Sequence, residues 1–228
     1  MGKEHYRRAA MKRLYIIVEG QTEQEFVNSV IAPYIQQYGV YSVTPVLIRT
    51  SKTGRGGFVN YNHFKNDTKR LLYSKKTDFV VSMFVDYFRI PKSIPNKDKW
   101  EHVENHLEQI IMMEKCIAKD INDNRFIPYI QMHEFEALLF SSNKGFQTYF
   151  TEEESKNTQN IIDTYNNPED INTSPQGAPS KRLLAIKNNY EKVLDGNLIA
   201  LEIGISDIIA KCPRFRAWTE RLIEACKQ

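Results

Sequence analysis

Five acids carry the chemistry open to this sequence: Glu19, Glu23, Asp86, Glu134 and Glu136. They fall at or just past the ends of three apolar runs that read as strands. Glu19 and Glu23 follow Leu14–Val18, Asp86 follows Phe79–Val85, and Glu134 with Glu136 follows Phe126–Gln131. In a parallel sheet those ends share the edge that faces the ligand crevice. Carboxylates gathered there repel one another, and a hard divalent cation, Mg2+ or Mn2+, relieves the repulsion. Such an ion acidifies a bound water and neutralises a phosphate oxygen, which is the chemistry of phosphodiester hydrolysis. The bland alternative makes Glu23, Glu134 and Glu136 first-turn acids favoured by a helix dipole.

Around these acids lie groups suited to an anion. His133 could serve as a general acid or base or contact a phosphate, or it could simply cap a helix start. Arg49-Thr50-Ser51-Lys52-Thr53-Gly54-Arg55-Gly56-Gly57 is a basic loop whose glycines free backbone amides for a phosphate, with Arg55 as a contact. It lacks the Gly-Lys-Ser/Thr ending of a nucleotide P-loop. Lys181 and Arg182, after Ser180 near a helix start, could hold a nucleic-acid backbone, or form a solvated charged face.

The elements that must position these residues alternate. The first strand is rich in β-branched residues and has no polar alternation, as expected when both faces are covered. A helix is predicted over Glu23–Gln37, with Thr22 as N-cap, Glu25 completing a capping box, and Pro33 as a kink or early end. Val43–Ile48 is the second strand, its Pro45 suited to a sheet edge or an irregular position. Helices are predicted over Tyr61–Tyr73 and Lys97–Lys119, and Phe126–Gln131 is a short fourth strand running into a helix start at His133–Phe140. Such alternation argues for an α/β fold with a mainly parallel four-stranded sheet flanked by helices. Beyond Phe140 strand signals fade. Glu152–Tyr165, Pro179–Tyr190 and Pro213–Cys226 read as helices, and Ile199–Ile209 is apolar but holds Gly204. The division expected is one domain: a lead-in at 1–12, an α/β core at 13–140 and a helical extension at 141–228.

Composition sets the class. The chain has 228 residues and a formal net charge of +3, which permits a nucleic-acid partner without requiring one. Its three cysteines show neither zinc-ligand spacing nor a disulfide framework. No apolar run reaches the roughly 18 residues needed to span a bilayer. Met1–Met11 is basic but lacks the apolar core of a signal peptide, so the expected location is cytoplasmic.

Two resemblances sharpen the reading. Ile16-Ile17-Val18-Glu19-Gly20-Gln21-Thr22-Glu23 resembles the first motif of the Toprim fold, a Rossmann-like fold shared by topoisomerases, primases and the overcoming-lysogenization nucleases. Asp86 matches the first acid of its second motif. Over nearly its whole length the chain also resembles the Toprim-like bacterial family known as domain of unknown function 4276. The matching stretches are Val18–Glu23, Phe84–Phe88, His133–Phe140, Pro179–Leu183 and Cys212–Phe215. The Toprim resemblance implies that Glu19 is the general acid/base and Asp86 a metal ligand. Toprim enzymes carry Asp-x-Asp where this chain has Asp86-Tyr87-Phe88, so Glu134 or Glu136 would supply the missing oxygen. The resemblance further implies a nuclease acting on DNA or RNA, an ATPase partner and a role in phage defence. A catalytically weak or inactive module that binds a partner ATPase or nucleic acid is the alternative, supported by Phe88.

Overall fold

Strand β1 (Arg13–Val18) is the axis of a parallel sheet, with β2 (Ser42–Leu47) on one side and β3 (Phe79–Asp86) on the other. The computed structural model describes residues 12–50, 56–171 and 175–227. Beyond β3, the predicted fourth strand is two short parallel pieces, β4 (Phe126–Ile127) and β5 (Ile130–Gln131). Pro128, which has no N–H to give a ladder, falls between them. β2 is an edge strand, where the sheet tolerates Pro45.

Both faces of the sheet are covered, which is why the central strands lack polar alternation. Leu14, Ile16, Val18, Val80 and Phe84 face a core shared with the first helix and the C-terminal helices. Ile17, Val81, Met83 and Val85 face a second core, filled by α3 (Tyr61–Leu72) and α4 (His106–Ile121). One polar residue interrupts the first face. Ser82 is fully buried and satisfied: its hydroxyl donates to the Ile127 carbonyl at 2.7 Å and accepts from Trp218 Nε1 at 3.0 Å.

Several element boundaries differ from the sequence reading. The first helix begins at Gln21, with extended Gly20 as N-cap, and Thr22 is buried in its first turn rather than capping it. It runs as α1 (Gln21–Phe26), a π-helical turn (Val27–Ile31) and α2 (Ala32–Gln36). Pro33 therefore does not end it. A proline crowds the carbonyl four residues back, and the wider turn just upstream accommodates it, with the Ala32 amide donating to Val27, five residues back. The helix expected from Lys97 is a single 3-10 turn at Lys97–Lys99, and α4 starts only at His106. There the Asn105 side chain accepts the Glu108 amide, a competing cap that sets the start. The expected helix start at His133–Phe140 is a buried 3-10 segment, Phe135–Ser141.

The remaining helices are α5 (Lys144–Tyr149), α6 (Glu152–Thr164), α7 (Pro179–Ile186), α8 (Leu194–Ile203), α9 (Ile205–Lys211) and α10 (Pro213–Lys227). Gly204 separates α8 from α9 within the apolar stretch at Ile199–Ile209. Phe215, Trp218 and Leu222 of α10 pack on the sheet, so the C-terminal third supplies one wall of the core. Among the described residues no helix is long and apolar enough to cross a membrane.

Candidate metal and phosphate site

The parallel register pairs Val18 with Phe84, so Glu19 leaves β1 beside the last residues of β3. The Glu19 carboxylate accepts hydrogen bonds from the Asp86 and Phe58 amides. Its carbonyl accepts the Gly57 amide at 2.6 Å. That approach needs Gly56 and Gly57 at φ of 95° and 85°, a left-handed pair that explains the glycines of the basic loop. Arg55, the expected phosphate contact of that loop, lies outside the described residues. Gly20 has a different role: a Cβ there would meet Glu23 Oε2 at 3.1 Å, so the bare backbone leaves room for the acid.

Asp86 ends β3 in a buried position. Its Oδ1 accepts the Phe135 amide at 2.9 Å, which ties the 3-10 segment to the sheet edge and carries Glu136 inward. The Phe88 amide donates to the His133 carbonyl at 2.8 Å, so residues beyond each strand stay side by side. His133 and Arg89 both adopt left-handed backbone, with φ of 62° and 60°. For residues other than glycine that conformation is strained, and such strain gathers at functional sites.

The structure thus brings together Glu19, Glu23, Asp86 and Glu136, around a residue the sequence reading did not select. Lys192 Nζ lies 3.2 Å from Glu136 Oε2, 3.5 Å from Asp86 Oδ2 and 3.8 Å from Glu23 Oε1. Lys192 sits in the connection between α7 and α8, and in the sequence nothing distinguishes it among 31 lysines and arginines. Burial opposes its charge, but the fields of Asp86, Glu136 and Glu23 outweigh this and hold the ammonium pKa above the ordinary value. Burial pushes the Asp86 carboxyl well up, against the pull of Lys192 and with help from Glu23 and Glu19. Glu19 is raised by burial and then by Glu23. Glu136 is raised to about 7, again chiefly by burial. Neither Glu136 oxygen makes a hydrogen bond of good geometry.

The other predicted residues are placed differently. Glu134 holds the start of α7: its two oxygens accept the Ser180 amide at 2.9 Å and the Ser180 hydroxyl at 3.0 Å. Arg182 bonds the Gly177 carbonyl and the Tyr165 hydroxyl and lies over the Tyr165 ring, while Lys181 is exposed. His133 is buried, and desolvation followed by repulsion from His106 lowers its pKa to about 4. At neutral pH it therefore carries no charge toward a phosphate. Because Glu134 serves a helix start, Glu134→Ala is expected to lower unfolding stability by about 1–3 kcal/mol in urea titrations. Divalent-cation affinity should stay unchanged. A loss of cation binding with stability intact would return Glu134 to the ligand set.

The donor chemistry of the cluster suits Mg2+ or Mn2+, since it offers only hard carboxylate oxygens and two of them, on Glu136, lack hydrogen bonds. Among the described residues, no three His, Cys, Asp or Glu side chains are arranged to hold a metal ion as the structure stands. The cation now balancing the acids is Lys192. In the comparisons with known proteins, no curated protein and no solved structure matched the chain. The family model described as domain of unknown function (DUF4276) matches residues 18–223, and the chain belongs to that family.

Proposed function

We propose that this protein is a Toprim-like, divalent-cation-dependent phosphodiesterase acting on nucleic acid. The observation that carries the reading is the gathering of Glu19, Glu23, Asp86 and Glu136 at the C-terminal edge of the parallel sheet, around a single cationic group. Side chains that repel one another at close range while shielded from water suit a charged ligand better than a packing role. Asp86, Glu23 and Glu136 would hold Mg2+ or Mn2+. When bound, the ion would acidify a water and neutralise phosphate oxygen charge. Glu19 is the least buried of the four, and burial raises its pKa, which strengthens it as a base toward water. Lys192, partly exposed beside the acids, would attract the phosphate backbone, with exposed Lys181 as a further cation.

A nucleic-acid substrate, an ATPase partner and phage defence rest on the sequence resemblance. The competing reading is a catalytically silent module that binds an ATPase or nucleic acid. It draws on Phe88 in place of a second acid and on Lys192 as the cation already in position.

The two readings part in one assay. Plasmid and single-stranded DNA and RNA are incubated with the protein and Mg2+, Mn2+ or a chelator, beside Glu19→Gln. Cleavage that needs the cation and falls on the order of 10^2-fold or more in Glu19→Gln supports the enzyme. Cleavage equal in both proteins would assign the activity elsewhere, and binding without cleavage would favour the silent module.

A further inference from the structure

We propose that Lys192 is a displaceable internal counter-cation: a divalent metal enters the carboxylate cluster only by expelling its ammonium, so metal loading and release of the α7–α8 connection are one coupled event. The inference rests on the metal-dependent reading above and adds a gating step to it.

The acids cannot rearrange easily. Asp86 is fixed by the Phe135 amide at the end of a buried strand, Glu23 sits in the first turn of α1, and Glu136 lies fully buried in the 3-10 segment. With three such carboxylates in one place, a cation is needed to offset their mutual repulsion. Lys192 supplies that charge from outside the helices and strands that carry the acids. Its side chain is 38% exposed and rises from the non-helical connection at 187–193. A long flexible stem can withdraw toward water without opening the core.

Geometry gives the exchange its direction. The ammonium contacts the acids at 3.2–3.8 Å, whereas a divalent ion binds carboxylate oxygens at about 2.0–2.6 Å with twice the charge. The ion and the ammonium would compete for the same Asp86, Glu23 and Glu136 oxygens. This competition accounts for the lack of a preformed metal-holding group of acids among the described residues, despite a suitable donor set. Glu136 Oε1, buried with neither a hydrogen bond nor an ion pair, marks the place still short of a partner.

The test is Mn2+ binding at pH 8, followed by calorimetry and by the free-ion paramagnetic resonance signal, in wild type and Lys192→Met. Removing the competitor is expected to tighten Mn2+ binding at least tenfold. Equal or weaker binding by a folded Lys192→Met that still takes up Mn2+ would overturn the coupling and leave the metal-dependent reading standing. Absence of Mn2+ binding in both proteins would overturn both. Should Lys192→Met fail to fold, hydrogen exchange of the wild type decides. Saturating Mg2+ is expected to reduce protection over 187–193, and unchanged or greater protection there would overturn the proposal.

Discussion

Asp86→Asn is expected to lower divalent-cation-dependent cleavage by on the order of 10^2–10^3-fold while leaving the protein folded. The substitution separates two tasks of one side chain. Oδ1 accepts the buried Phe135 amide at 2.9 Å, and the asparagine carbonyl can still do so. Oδ2 faces Lys192 and the neighbouring acids, and there the amide carries no charge with which to bind a metal. Burial opposes the Asp86 charge and raises its carboxyl, so a neutral amide removes a desolvation penalty as well as the pairing with Lys192. Asp86→Ala should differ by also stranding the Phe135 amide, at about 1–3 kcal/mol. Cleavage rates in Mn2+ and urea midpoints for the two variants provide the check. An Asp86→Asn protein with wild-type cleavage would remove Asp86 from the site, whereas one that unfolds would show the charge to be structural.

The second large effect concerns stability against pH. Glu136 is fully buried and faces the Lys192 ammonium, the Glu134 and Asp86 carboxyls and the Tyr190 hydroxyl. Its folded pKa is raised from 4.5 to about 7, with burial the largest cause. Below the unfolded value both states hold the proton and nothing is lost. Between the two values the unfolded chain ionises while the folded one keeps its proton, so stability falls as pH rises, until the folded group ionises as well. At 1.36 kcal/mol per unit the loss approaches about 3 kcal/mol by pH 8. Glu136→Gln removes it. The variant should match wild type near pH 4 and exceed it by about 2–3 kcal/mol at pH 8 in metal-free buffer. Raised pKa values at Asp86 and Glu19 leave some pH dependence in the variant as well. Parallel pH profiles in urea unfolding would show that Glu136 is ionised in the folded state throughout.

The two substitutions together also bear on the competing readings of the site. A silent module held by Lys192 would show the Glu136→Gln stability gain without any loss of cleavage in Asp86→Asn, having none to lose. An enzyme would show both effects.

The chain carries much of its architecture in local patterns. Apolar runs without alternation marked β1 and β3 as strands covered on both faces, and Pro45 marked β2 as an edge, because these features depend on which residues neighbour one another in sequence. The strand-end acids Glu19 and Asp86 could be read for the same reason: one follows directly on its strand and the other completes it. Boundaries set by competition were less legible. Competing local caps, Gly20 beside Thr22 and Asn105 after Lys97, set these starts, and sequence alone does not rank one cap above another.

Tertiary structure alone decided how the carboxylates are shared out. Glu134 and Glu136 are two residues apart and chemically alike, yet one caps α7 through Ser180 and the other is buried against Lys192. The difference arises from a 3-10 segment anchored on Asp86, 49 residues earlier in the chain. Lys192 could not be found from its surroundings in sequence, since its role depends on three carboxylates brought to it by β3, α1 and that segment. Spacing along a chain reports the period of a helix or strand. The meeting of charges from distant elements is set by how those elements pack, and only the folded chain contains it.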